Sequence, residues 1–262
     1  MLFKYTKAEY KAQQVLKDCG IVNPADVSLK IVIMSRGAFY EETSLKGKEG
    51  EIVSVGSRSF IAVNSDILFE SKKRFVAAHE LGHYELMHNS LEPIISDKEE
   101  DFLKWYKGGE HEIEANEFAA EFLMPTEIFH AECSKYKFSP QVIDFLSEKF
   151  KVSKTSTLLR FVKRGNHPVF LVYCKDNKMK WFKRSDDFRY YCDFHVDSPP
   201  PTGSVAYELF KNNIRYTGEE RAQEVWKSDW FTMRETEQDS TFYEYCLFVK
   251  EYGYSLSLIW EK

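Results

Sequence analysis

The chain has 262 residues, of which 43% are hydrophobic and 16% aromatic, enough to bury a sizeable core and to exclude wholesale disorder. A formal net charge of −5, from 36 basic and 41 acidic side chains, removes the global basic excess of a protein that coats nucleic acid. No apolar run reaches the roughly 18 residues of a membrane span, and the opening MLFKYTKAEYKAQQ is amphipathic with no secretory core. A cytoplasmic protein is expected.

The five cysteines (Cys19, Cys133, Cys174, Cys192 and Cys246) are odd in number and scattered, with no CxxC pair. They fit reduced thiols that fill space in a core better than a disulfide framework or a cysteine-based zinc finger.

The pattern type changes twice along the chain, which gives an N-terminal segment of about 1–130, a helical segment of 131–165 and a C-terminal segment of 166–262. The first opens with a helical pattern from Lys7 to Asp18 that Gly20 stops, followed by two runs that read as extended, LKIVIM and SFIAVN. A long helix is then expected from about Ser71 to His88. After a polar loop around NSLEPIISDKEED, another runs from Glu110 to Met124, where Pro125 ends it.

The first of these long helices carries His79-Glu80-Leu81-Gly82-His83, an HExxH motif. Residues four apart share a helix face, so both imidazoles can reach one metal ion while Glu80, turned by about 100°, flanks an open coordination position. That is the arrangement of zinc hydrolysis: two neutral histidines and a carboxylate hold the ion, and the flanking glutamate takes a proton from water as it attacks. Phe75, Val76, Gly82, His83 and Leu86 lie within about 60° of His79, so the histidine face is expected to be the buried one. His88 falls nearly opposite, and the extended HExxHxxGxxH pattern fails because Leu86 and Asn89 occupy its later positions. A third ligand must come from elsewhere.

The second long helix offers five glutamates, and helical phase separates them. Ala115, Asn116, Ala119 and Leu123 share the face of Glu112, while Glu110, Glu114, Glu117 and Glu121 fall on the far side and read as solvated carboxylates. An ionised carboxylate on a small and apolar stripe calls for a cation, which makes Glu112 the expected third metal ligand. Asn116, one turn on, is placed to hold a ligand histidine in its tautomer. The two helices are expected to pack through Gly82 against Ala115 and Ala119. Glu80 would act as general base, and SFIAVN could line the cleft so that an extended substrate adds to its edge. Tyr84 and His111 are weak candidates for stabilising an oxyanion.

In the middle segment two short helices are expected, capped at Ser139-Pro140 and Ser153. Lys149, Lys151, Lys154, Arg160, Lys163 and Arg164 form a basic patch that could touch DNA, dock an acidic protein or simply be solvated. The last segment switches to strands: PVFLVYC and MKWFKR flank a KDNK turn, a helix falls near Val205 to Lys211, and FYEYCLFVK and YSLSLIW form a closing pair. The alternation of Leu256, Leu258 and Trp260 points one face inward. His195 stands in a polar stretch and reads as a surface residue.

The combination RFVAAHELGHYELMH followed by EIEANEFAAEFLMP resembles the ImmA/IrrE family of metallopeptidases, and LSEKFKVSKTSTLLRFVKRG looks like its following helical region. Over about 100 residues the resemblance implies an α+β fold with a zincin-like N-terminal domain of mixed sheet and active-site helices. The residue patterns themselves, and not the resemblance, which weakens after residue 165, give the helix-turn-helix-like middle segment and a C-terminal antiparallel sheet domain with a helix. Carried over, the family pattern makes His79, His83 and Glu112 ligands of one Zn2+ (manganese or iron being alternatives) and Glu80 the catalytic acid/base. It further implies a cytoplasmic endopeptidase that cleaves a helix-turn-helix repressor, with the last segment serving regulation or partner binding. Two rivals stand beside it: a DNA-binding regulator whose metal is structural, and a non-proteolytic protein that sequesters a repressor.

Overall fold

A computed structural model of the chain describes residues 3–87 and 109–262. The expected polar loop near residues 89–101 and His88 lie outside them. Two compact units emerge, one of residues 1–129 with 147–156, the other of 130–146 with 157–262. The expected middle segment is therefore divided between them.

In the first unit α1 (Lys7–Asp18) opens with a reciprocal cap in which the Glu9 amide donates to Thr6 Oγ1 and the Thr6 amide donates to Glu9. Gly20, at φ 65°, ends the helix as expected. The run LKIVIM departs from its expectation. It is a helix, α2 (Leu29–Ser35), because Leu29, Val32 and Ile33 all bury at helical spacing while Ile31 and Met34 stay exposed. A β-branched run has strand propensity, but the packing available to its i, i+3 and i+4 positions decides.

Three strands follow: β1 (Phe39–Thr43), β2 (Gly50–Val55) and β3 (Arg58–Asn64). The order is β1-β3-β2, with β1 parallel and β2 antiparallel to β3. SFIAVN is thus the central strand, with Ile61 and Val63 wholly buried. Both its edges are used, so it cannot take up a substrate strand as the sequence suggested; β2 holds an edge position.

Helix α3 (Glu70–Glu85) carries the HExxH motif, and α4 (Glu110–Leu123) carries Glu112. They meet where a Cβ on Gly82 would lie 3.2 Å from the Ala115 backbone and 3.2 Å from Phe118 Cβ. That approach is what a glycine in mid-helix allows, at about 1 kcal/mol of helix propensity. Helix α3 is buried almost all round rather than on one face: Arg74 to Ala78, Glu80 to His83 and Glu85 are all covered. The far side of α4 is not solvated either. Glu121 is wholly buried and accepts from Gln13 Nε2, the Thr126 amide and Thr126 Oγ1, while Glu114 and Glu117 are half-buried. The end of α3 is pinned by buried Glu85, which takes two hydrogen bonds from Arg36 at 2.6 and 3.1 Å and pairs with Lys11 at 3.2 Å.

Helices α5 (Thr126–Cys133) and α6 (Pro140–Phe150) each give residues to both units, and α7 (Lys154–Arg164) follows. Arg160 and Arg164 are buried, so two of the six expected patch charges do not face solvent.

The second unit is built on an antiparallel sheet of β4 (Phe170–Lys175), β5 (Lys178–Arg184), β6 (Ala222–Trp226), β7 (Thr241–Val249) and β8 (Tyr254–Glu261), in the order β5-β4-β8-β7-β6. The expected hairpin turns at Asp176 and Asn177, both at positive φ. Strand β8 lies at the centre and is buried on both faces, from Tyr254 to Trp260, in place of the expected single inward face. Trp260 packs edge-on against Phe138. On the other face Phe170, Val172, Phe242 and Ile259 bury with Val205, Trp230 and Phe231 from α8 (Val205–Asn212) and the short α9 (Lys227–Trp230) and its end. Most of the aromatics of this segment are therefore core.

Candidate metal centre

His79 and His83, one turn apart on α3, face each other with Nε2 atoms 3.0 Å apart. Glu112 reaches both from α4: Oε2 is 3.3 Å from His79 Nε2 and Oε1 is 3.3 Å from His83 Nε2. One ligating atom from each of the three lies within 4.8 Å of the others, a grouping that could hold a metal ion. Ligands about 2.0–2.1 Å from a tetrahedral zinc stand about 3.3 Å from one another, so the donor set fits such an ion in both chemistry and span.

The second turn of α4 fixes the histidine tautomer. His79 Nδ1 is 2.9 Å from Asn116 Oδ1, an atom that can only accept, so Nδ1 carries the proton and Nε2 keeps its lone pair toward the cluster. Asn116 is itself buried, as its place on the Glu112 stripe requires. Burial works against the charge of Glu112, but the two imidazoles, which answer the carboxylate whenever they are protonated, outweigh it and hold the carboxyl below its usual range. Burial likewise opposes protonation of His79, and the Glu112 contact overrides it and raises the imidazole.

Glu80 is 2% exposed, and burial pushes its carboxyl up to about 7. Its Oε2 is withdrawn from solvent with no hydrogen-bond partner among the described residues. One wall of its pocket is the first residue of β2, where a Cβ on Gly50 would lie 2.7 Å from Glu80 Oε1 and 2.6 Å from Val76 Cγ1. Glycine is needed here for close approach, since its φ is not in the left-handed region. Lys48 and Glu51, paired at 2.7 Å, act on Glu80 with opposite signs. Asn64 holds the loop that presents them, its side-chain amide donating to the carbonyls of Leu45 and Lys48. Sequence reading missed Gly50, Lys48 and Asn64. Each acts through a partner distant in the chain, and the small residue at the start of a strand is the one local hint.

The remaining candidates lie elsewhere. The Tyr84 hydroxyl donates to the carbonyl of Arg36 at 3.1 Å, which ties it to the end of α2. His111 is largely exposed, 3.9 Å from Glu114. His195 is exposed, as expected, beside Asp193.

Two histidines spaced by one helical turn, answered by a carboxylate from a neighbouring helix beside a small mixed sheet, form a grouping that could hold a divalent metal ion of the kind hydrolases use. The sequence profile of the IrrE N-terminal-like domain of the peptidase M78 family matches residues 31–161, half of the chain, and the chain belongs to that family. Among solved structures, a Mycobacterium tuberculosis transcriptional regulator is similar in fold at a TM-score of 0.64 and 13% identity, over 97% of this chain and 75% of that one. No curated protein matches the chain. The family makes the protein a peptidase, of a group that is typically metal-dependent. Among the described residues no helix is long and apolar enough to cross a membrane.

Proposed function

We propose that this chain is a zinc-dependent endopeptidase that cleaves one cytoplasmic regulatory protein, a helix-turn-helix transcriptional repressor. The observation that carries the reading is the convergence of His79, His83 and Glu112 beside a buried glutamate, Glu80, with an oxygen that nothing among the described residues engages. A divalent cation held there would polarise the scissile carbonyl and acidify water. Glu80 takes the water's proton at its free oxygen and passes it to the departing amine, a role suited to a carboxyl raised toward neutrality. Asn116 keeps the His79 ring oriented throughout.

Substrate enters as an added strand, and the strand it joins is β2. Its outer edge has no partner strand among the described residues, and its first residue touches the Glu80 pocket. Residues 166–262 serve regulation or partner recognition. The burial of Arg160 and Arg164 favours a protein partner over DNA, because charges withdrawn from solvent are not offered to phosphates.

The test is co-expression with the helix-turn-helix repressor encoded beside the gene, with fragments identified by mass spectrometry. Defined fragments should appear with wild type and vanish with a chelator or with Glu80→Gln, while Glu80→Gln still binds zinc. Derepression that survives Glu80→Gln would replace proteolysis with sequestration. Salt-dependent duplex binding indifferent to that substitution would point instead to a DNA-binding regulator.

A further inference from the structure

The second unit contains a cavity of about 260 Å³, just under the ~300 Å³ at which small-molecule sites begin. Its origin is a mismatch in strand length. Strand β6 ends where Ala222 pairs with Tyr245, but β7 runs on to Val249 with β8 still beside it. Residues 246–249 therefore have a strand on one side and none on the other among the described residues. The chain leaving α8 closes over the gap: Asn213, in the left-handed region, ends the helix, and Gly218, at φ 65°, turns the chain back toward β6. Tyr216 ties this loop to α8 by donating to Glu208 at 2.9 Å.

The walls are of two kinds. Val205, Leu209 and Ile214 supply an aliphatic side, and Tyr245 and Phe248 supply rings. Three cations, Arg215, Arg221 and Lys250, line the same space. The Arg215 guanidinium lies over the Phe248 ring, 4.6 Å from its centroid, so cation and aromatic face are presented together. Arg221 spends one arm on Asp144 at 2.5 Å, yet its Nε is buried with no acceptor among the described residues. A buried donor without an acceptor is an exception that calls for a partner. Two nearby acids are engaged at least in part, Asp144 through Oδ2 with Arg221 and Glu208 with Tyr216. Cys246 also lines the cavity, but burial pushes its thiol up to about 12, which leaves it a non-nucleophilic wall.

We propose that this cavity is a binding site for a small amphipathic anion, a carboxylate or phosphate attached to an aromatic or apolar body. The anion sits among Arg215, Arg221 and Lys250, and the body lies against Leu209, Ile214 and the rings.

Isothermal titration of the full chain with phenyl phosphate, phenylacetate, inorganic phosphate and the neutral 2-phenylethanol tests this. The aryl anions should bind one per chain, and the neutral analogue and inorganic phosphate roughly tenfold more weakly or not at all, about the worth of one charge-assisted hydrogen bond or one ring contact. Arg215→Gln and Lys250→Gln, both at exposed positions that folding does not depend on, should each weaken phenyl phosphate by roughly tenfold. Lys178→Gln, at the far edge of the same sheet, should leave it unchanged. The proposal is overturned if no aryl anion binds at up to about 10 mM, if 2-phenylethanol or inorganic phosphate binds as tightly, or if all three variants behave alike.

Discussion

Glu80 in the first unit and Glu244 in the second are both withdrawn from solvent, and burial raises the carboxyl of each. Their surroundings differ. Glu244 accepts four hydrogen bonds, from the amides of Val205 and Ala206 at the start of α8, from Trp230 Nε1 and from Ser257 Oγ, at 2.6–2.9 Å. It joins β7 to β8 and to both helices of its face. Glu80 has an oxygen with nothing among the described residues to accept from. A buried carboxylate that is fully answered by its own protein is part of the frame; one left unanswered at the edge of a metal-ligand cluster is available for chemistry.

The sharpest way to break this contrast is Glu244→Leu. Four donors lose their acceptor at once, so the second unit should lose about 3–5 kcal/mol, measured by urea unfolding. Because the folded carboxyl titrates above its ordinary value of 4.5, the stability it confers is fully present below that pH and declines as pH rises through the raised value. The gap between wild type and Glu244→Leu should therefore be widest in acid and narrow toward neutrality. A gap that widens with pH would mean that the four donors dominate burial.

Glu112→Ala and Asn116→Ala sharpen the first unit's side of the comparison. Removing the carboxylate should lower zinc affinity by more than about 100-fold, and removing the tautomer-fixing amide by about 10–100-fold. Glu114→Ala, at a carboxylate outside the cluster and 3.9 Å from His111, provides the reference. Competition with a chromophoric chelator reads all three, and equal losses would break the assignment. Gly82→Ala should cost about 1–3 kcal/mol, since its new Cβ meets Ala115 backbone and cannot be relieved by rotating a side chain.

The comparison also marks what sequence could reveal. The convergence of His79, His83 and Glu112 was legible because it rests on helical phase within two segments: four residues bring His79 to His83, and one phase angle sets Glu112 apart from its neighbours. Helix α1 was legible for the same reason, with Gly20 after it, though its cap at Thr6 was not read from the sequence. Burial by distant chain was not. Glu121 looked solvated because Gln13, 108 residues away, and the turn into α5 were invisible from α4 alone. LKIVIM looked extended because its helix is selected by packing against other elements. Gly50 carried no local sign that a carboxylate would need the space of its missing Cβ.

The smallest expected effect is the most discriminating. Removing a buried charge with an unanswered oxygen should relieve a cost rather than impose one, so Glu80→Leu should leave the first unit unharmed or raise its stability by about 1 kcal/mol. The substitution keeps a branched apolar side chain against Val76 and the space over Gly50, so little packing is forfeited. Urea unfolding without metal isolates this term from any stabilisation by a bound ion. A loss as large as that of Glu244→Leu would show that Glu80 is held by the frame after all, and would remove the distinction between an acid that builds the fold and one kept free to work.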